Sequence, residues 1–301
     1  MSKIHDLLVI GTGIAGLSAA RQGLRLGLST AMMESLFFGG LVTNITELDG
    51  EIQGSGSDLA AEMMMEAADL GASNINATAT AIERDAQSLI VRSDAGDQRA
   101  RSIIVASGAR LKRLGIPGEA EFQGKGVSNC ADCDGPFFKG KDVVVVGGGD
   151  SALQEARVLA EFAQQVHIVH RGAKFDARAH LVEQLGRRKN MSVHWRSRVD
   201  AVLGEQTVRG VRIHGLDNAA TGEIPCAGFF AYVGLEPASG FLPDAIARDA
   251  GGFVLTGADL QTAMAGVFAA GAVRSGCGGL LTDAIAEGAA AAKSAGTLVR
   301  A

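Results

Sequence analysis

The chain has 301 residues, of which 47% are hydrophobic and 20% charged, and a formal net charge of −5. That length supports two domains, each with its own core, and that balance excludes a disordered chain. The negative charge and the single Trp195 and Tyr232 argue against a base-stacking nucleic-acid surface or an anionic membrane as partner.

Residues 1–6 run directly into the apolar Leu7-Leu8-Val9-Ile10, which reads as a buried parallel strand, so no signal peptide is expected. No apolar run approaches the ~20 residues of a membrane span. The glycine turn Gly11-Thr12-Gly13-Ile14-Ala15-Gly16 follows, then a helix-like stretch over 17–26. Gly11 permits the tight turn, Gly13 lets the backbone approach a pyrophosphate, and Gly16 allows close helix–strand packing. A second strand, Ser29 to Met33, ends at Glu34, whose carboxylate is suited to accept from ribose hydroxyls. The triplet Met63, Met64 and Met65 reads as core or dimer surface. A further strand with a glycine end, Ile103 to Ala109, fits the same dinucleotide fold.

Cys130-Ala131-Asp132-Cys133 comes next, with Asp134 directly after it. Cys-x-x-Cys spacing brings two sulfurs within bridging distance and favours a lowered thiol pKa. A structural zinc site needs four ligands, and no second cysteine pair or matching histidine spacing exists, so a redox pair is expected and no metal. Asp134 is either a proton shuttle for the pair or an ordinary turn residue before Gly135-Pro136. The other two cysteines, Cys226 and Cys277, read as small buried hydrophobes, Cys277 in a glycine-rich loop over 275–279.

The dinucleotide pattern then repeats. A β-branched run, Asp142 to Val146, leads into Gly147-Gly148-Gly149-Asp150-Ser151-Ala152, a helix-like stretch, and a strand Val166 to Val169. That strand ends in His170-Arg171, where the first fold has an acid. Near the end of the chain, Gly266 to Gly271 is a short strand with a glycine turn, followed by an alanine-rich helix over about 282–298. The expected fold is α/β: two Rossmann-like dinucleotide-binding domains, the second inserted into the first. The first domain covers 1–114 and 238–301 and the inserted one 115–237, with Pro/Gly-punctuated hinges at each crossing.

These segments together resemble the low-molecular-weight thioredoxin reductase family over essentially the whole chain. The matching positions are Gly11 to Gly16 with Glu34, Phe38-Gly39-Gly40, Ala106-Ser107-Gly108-Ala109, Ile116 to Glu119, Cys130 to Gly135, Gly147 to Ala152 and Gly266 to Gly271. The resemblance implies FAD in the first domain, held by Gly11, Gly13, Ile14, Ala15, Gly16, Glu34, Gly39, Gly40, Ala106, Ser107, Gly108, Gly271 and Ala272. It implies a nicotinamide cofactor, NADPH or NADH, in the second, at Gly147, Gly149, Asp150, Ser151, Ala152, His170 and Arg171. It also implies a homodimer, a rotating inserted domain and a thioredoxin-like or small disulfide partner, while the four cysteines, too few for a disulfide framework, lead to the expectation of a cytoplasmic location. Cys133 would face the flavin, Cys130 would attack the partner disulfide, and Asp134 would be the acid/base.

Several positions depart from the family. Its NADPH signature is His-Arg-Arg with another Arg four residues on; here Gly172 and Asp176 stand at two of those places. Each charge-assisted bond to a 2′-phosphate contributes about 1.5–3 kcal/mol, so NADPH use is expected to be impaired. Arg171, Lys174 and Arg178 offer partial compensation. Around the flavin, Leu41, Gly50, Ala272 and Leu280-Leu281-Thr282 replace the family's polar residues, which alters the hydrogen bonds that tune it. The leading expectation is a FAD-dependent thiol–disulfide oxidoreductase fed by a protein donor such as ferredoxin, or by a dithiol. The alternatives are a conventional NAD(P)H-dependent thioredoxin reductase with relaxed cofactor choice, and a non-enzymatic redox sensor.

Overall fold

The computed structural model describes residues 3–45, 47–48 and 52–300. Gly50 lies outside the described residues. The chain divides into two compact units, Met1–Arg110 with Glu236–Ala301, and Leu111–Leu235.

The first unit is built on a seven-stranded sheet. Its parallel part runs Ser73–Ile75, Thr30–Met33, Ile4–Ile10, Gln98–Val105, with Val267–Ala269 also paired parallel to Gln98–Val105. Leu89–Ser93 and Ala79–Arg84 extend it antiparallel. The strand period of two decides the layers. Leu7 and Val9 face a core shared with the helices Ile14–Arg25, Gly56–Asp69 and Leu281–Arg300, while Leu8 and Ile10 face a second core with Leu242, Ile246 and Val254. Both faces are covered, so the strand reads as a continuous apolar run.

The Leu281–Arg300 helix buries Gly288, Ala291, Ala292, Ala295 and Gly296. These small residues let it approach Ile14–Arg25 closely, and Ser18 Oγ donates to the Ile285 carbonyl at 2.7 Å. The two glycines differ. A Cβ on Gly288 would overlap the Ala15 carbonyl, whereas one on Gly296 meets only the ends of Leu26 and Leu28 at 3.3 and 3.6 Å.

The second unit repeats the plan in smaller form. A five-stranded parallel sheet runs Met191–His194, Gln165–Val169, Asp142–Val146, Gly228–Ala231, Val127–Ser128. Val143 and Val145 face the helix side with Leu153, Ala156 and Leu159, and Val144 and Val146 face the side with Val199, Val202 and Val211. Those last three belong to a three-stranded antiparallel sheet, Ser197–Gly204, Val208–Gly215 and Thr221–Pro225.

The chain passes between units at Arg110/Leu111 and Leu235/Glu236, slightly N-terminal to the expected crossings at 114/115 and 237/238. The crossing segments Ala109–Leu111 and Leu235–Pro237 pair with one another. The Pro/Gly turn beyond them belongs to the second unit. There the buried Glu119 carboxylate accepts from the N–H groups of Leu114 and Gly115 at 3.0 and 2.7 Å, and Val202 N–H donates to the Pro117 carbonyl.

Gly288→Ala is expected to destabilise the protein by roughly 1–3 kcal/mol in urea unfolding. Gly296→Ala should be neutral or stabilising, because alanine is the better helix former where space exists.

Candidate functional site

In the first unit the glycine turn sits where the strand Ile4–Ile10 meets the helix Ile14–Arg25. Gly11 has φ +98°, and a Cβ there would collide with the Ala106 carbonyl. A Cβ on Gly16 would collide with the Gly11 carbonyl. Gly13 is the N-cap and carries no side-chain cap, so the first-turn N–H groups are open to an anion. The chain after the second strand returns to this turn: Gly39 N–H donates to the Thr12 carbonyl at 2.7 Å, and Gly13 and Gly39 form a parallel bridge. A Cβ on Gly271 would lie 2.6 Å from that of Ala15. Gly11, Gly13, Ala15, Gly16, Gly39, Ala106 and Gly271 are thereby gathered at one place. Ile14 is buried in the helix's first turn, Gly40 lies over Gly13, and Ala272 follows Gly271 in a short 3-10 turn. Ser107 and Gly108 turn toward the Ala238 segment: Ser107 Oγ donates to the Ala238 carbonyl and Ala238 N–H to the Gly108 carbonyl.

Glu34 is held by three amides. Its Oε2 accepts from Thr12 N–H at 3.2 Å, and its Oε1 from Ser35 and Leu36 N–H at 3.0 and 3.1 Å. Beside it lies a cavity of about 350 Å³ lined by Thr12, Met32, Phe37, Phe38, Met64 and Asn74 among others. Of the methionine triplet, Met63 is buried, Met65 is exposed and Met64 lines this cavity. The hydroxyl of Thr12 is buried and has no partner among the described residues. An uncapped helix N-terminus, an orphaned hydroxyl, an oriented carboxylate and a turn with no space for a Cβ together fit a dinucleotide such as FAD.

The loop over 275–279 is tied down by Arg274, which pairs with Glu287 and donates to the Ser275 carbonyl. Glu287 also accepts from Gly271 N–H at 2.8 Å. Leu41 and Leu280 are exposed and Leu281 begins the last helix.

The second unit carries the same device. A Cβ on Gly147 would overlap the Tyr232 carbonyl and crowd the buried Ala152. Gly149 is the uncapped N-cap of the helix Asp150–Leu159. The chain returning after the second strand again bridges the turn: Asp176 N–H donates to the Gly148 carbonyl at 2.8 Å, and Gly149 and Asp176 form a parallel bridge. Asp176 thus occupies the place that Gly39 holds in the first unit. Asp150 is committed to Arg178, accepting from its backbone N–H at 2.8 Å and its Nε at 2.6 Å. The His170 imidazole lies against Gly148 and Gly172, donates from Nε2 to the Lys174 carbonyl, and sits over Phe175 and Trp195. A cavity of about 430 Å³ is lined by Gly147, Gly149, Asp150, Ser151, Arg171, Asp176 and Arg198 among others. Of the basic residues expected to compensate, Arg171 lines the cavity and Arg178 faces Asp150.

Cys130 and Cys133 form a disulfide, with Cα atoms 5.3 Å apart. Cys130 is the N-cap of the one-turn helix Ala131–Asp134, its sulfur accepting from Cys133 N–H at 3.1 Å. Cys130 N–H donates to Ser128 Oγ, and Asp134 N–H to the Cys130 carbonyl. Cys133 is exposed, Cys130 and Asp134 are half-buried. Glu155, which the sequence reading passed over, stands behind this turn. Its Oε2 accepts from Ala131 N–H at 2.9 Å and from Tyr232 OH at 3.0 Å. Burial pushes its carboxyl above the usual range and the charge of Asp132 adds to this, while the two donors pull it back. Its only sequence signal is a carboxylate on the buried side of an amphipathic helix, which periodicity alone does not separate from a surface acid.

Among the described residues no cluster of three or more His, Cys, Asp or Glu is arranged to hold a metal, and no helix is long and apolar enough to cross a membrane.

A family model described as pyridine nucleotide-disulphide oxidoreductase matches residues 5–293. A thioredoxin reductase of Treponema pallidum is 35% identical, over 99% of this chain and 98% of its own. A 34.2 kDa protein in the rubredoxin operon of Clostridium pasteurianum is 33% identical, over 96% of both chains. The crystal structure of Lactococcus lactis thioredoxin reductase superposes with a TM-score of 0.95 at 32% identity, covering 98% of this chain and 99% of that one.

Burial pushes the Cys226 thiol up to about 12. Native-state labelling at pH 8 is therefore expected to leave Cys226 unmodified until the protein unfolds, with the half-buried Cys277 modified first, as peptide mass spectrometry will show.

Proposed function

We propose, for a chain that belongs to the pyridine nucleotide-disulphide oxidoreductase family and is a flavin-dependent disulfide oxidoreductase of thioredoxin-reductase type, that it exchanges electrons with an external disulfide or dithiol through Cys130 and Cys133 while using NADPH poorly. The observation that carries the second half is Asp176. It stands over the second glycine turn, beside a cavity where the family's cationic partners for a 2′-phosphate are absent at 172 and 176. A carboxylate there repels a phosphate, and Arg171 and Arg198 are the cations that line the cavity.

FAD, when bound, stores two electrons between a donor and the cysteine pair. The first unit's residues divide the work of holding it. The open amides after Gly13 and the Thr12 hydroxyl take the pyrophosphate, and Glu34 takes the ribose. In the reducing direction the Cys130 thiolate attacks one sulfur of the partner's disulfide and releases the other as a thiolate. Cys133 then attacks Cys130, which re-forms the internal disulfide and frees the partner's dithiol. Two electrons pass to the partner, and Asp134 exchanges a proton with the departing thiolate. A thioredoxin-like protein or a small disulfide is the partner, and a homodimer is the assembly, both carried over from the family.

The electron source is a protein such as ferredoxin or, in the reverse direction, a dithiol whose two electrons pass through the pair and leave to O₂. The relative encoded in a rubredoxin operon supports a protein donor. The open second cavity and its intact glycine turn favour a second reading, an NAD(P)H-dependent thioredoxin reductase with relaxed cofactor choice. Membership of this enzyme family sets aside the non-enzymatic sensor.

Stopped-flow mixing decides between them. Flavin bleaching by micromolar NADPH is expected to be slow, and the variant Asp176→Arg to tighten NADPH by about one order of magnitude or more. Fast bleaching of the wild type by NADPH overturns the donor assignment. Fast bleaching by NADH alone establishes the second reading.

A further inference from the structure

We infer that Glu155 is a positioning residue that sets how readily the Cys130–Cys133 disulfide is reduced, acting through the Ala131 amide and the Tyr232 hydroxyl. The inference rests on the reading of Cys130 and Cys133 as the redox pair.

Glu155 lies on the helix Asp150–Leu159, which begins at the second glycine turn. One of its oxygens takes two donors. The first is the N–H of Ala131, the residue directly after Cys130. The second is the hydroxyl of Tyr232, a buried residue whose carbonyl packs on Gly147 and which lines the second cavity. A single carboxyl therefore touches both the cysteine turn and the wall of the nucleotide-type pocket, all within the second unit.

The chemistry of the pair makes that location consequential. Reduction breaks the S–S bond with two electrons from the reduced flavin and leaves sulfur as thiolate unless protons enter. A thiolate is stabilised by nearby N–H donors and opposed by nearby negative charge. Glu155 engages the Ala131 N–H, and when ionised it places a negative charge behind the same turn. The groups that face it are Asp132, whose charge acts in the same direction, the Tyr232 hydroxyl and the Ala131 N–H, the amide that directly follows Cys130. Burial raises the carboxyl's pKa, while the Ala131 N–H and the Tyr232 hydroxyl favour its charged form. An ionised Glu155 holds the pair toward the disulfide; a neutral one lets the thiolate form.

Glu155→Gln tests this, because the glutamine carbonyl can still accept from Ala131 and Tyr232 while the charge is gone. In the reduced holoenzyme, the alkylation rate of Cys130 and Cys133 by iodoacetamide is followed against pH and resolved by peptide mass spectrometry. In parallel, the equilibrium of the oxidised pair with dithiothreitol is measured. Glu155→Gln is expected to lower the alkylation midpoint by ~1 pH unit and to shift the dithiothreitol equilibrium about tenfold toward the dithiol. Tyr232→Phe removes one donor from the carboxylate, favours its neutral form, and should move both readouts the same way by less. Profiles for Glu155→Gln that coincide with wild type overturn the inference, since a purely structural anchor survives in glutamine. A wild-type pair that dithiothreitol cannot reduce overturns the functional reading and this inference together.

Discussion

The constraint on which the rest of this molecule depends is a missing methyl group. Where the strand Ile4–Ile10 turns into the helix Ile14–Arg25, the Gly11 carbonyl, the Ala106 carbonyl and the helix at Gly16 approach so closely that no Cβ fits at Gly11 or Gly16. This contact fixes the helix N-terminus at the carboxyl end of the sheet, which is where parallel α/β proteins bind their ligands. The second unit solves the same problem with Gly147, Ala152 and the Tyr232 carbonyl. There a methyl group is tolerated at the third position, because Ala152 packs against the side of Gly147 that has no side chain.

Each turn is then roofed by the chain returning from the second strand, through one amide-to-carbonyl bond and one parallel bridge. The geometry is common and the chemistry is opposite. Gly39 roofs the first turn at φ +98° and presents nothing but backbone. Asp176 roofs the second and presents a carboxylate. The acids are distributed to match. Glu34 is oriented by three amides and left beside an open cavity, whereas Asp150 is occupied by Arg178. One backbone plan thus yields two pockets of different polarity.

Much of this was legible in the sequence, because glycine spacing and β-branched runs encode backbone constraints that act over a few residues. The two turns, the order of strands around them, the cysteine pair and Glu34 could all be placed from their own segments. What lay beyond reach depends on contacts between segments far apart. The Asp150–Arg178 pairing, the lid formed by His170 over Gly148, and Met64 at a cavity wall all need the tertiary fold. Glu155 is the clearest case: its two donors come from residues 24 and 77 positions away. The unit boundary shifted for a related reason. Pro117 and Gly118 mark a turn, but hydrogen bonds from Leu114, Gly115 and Val202 assign that turn to the second unit.

The contacts that hold the second pocket also lie apart from those that hold the cysteine turn. The loop after His170 is anchored on Gly148, Gly149 and Asp150, all at the pocket. The cysteine turn is anchored on Ser128, on its own amides and on Glu155. These contacts are distinct, and the glycine at 172 and the aspartate at 176 belong with the first set. Tyr232 is the exception, since it touches the glycine turn with its backbone and Glu155 with its hydroxyl. One path of direct contacts from the pocket to the cysteine turn runs through that side chain, and its phenol, held un-ionised by burial, carries the influence as a hydrogen bond and not as a charge.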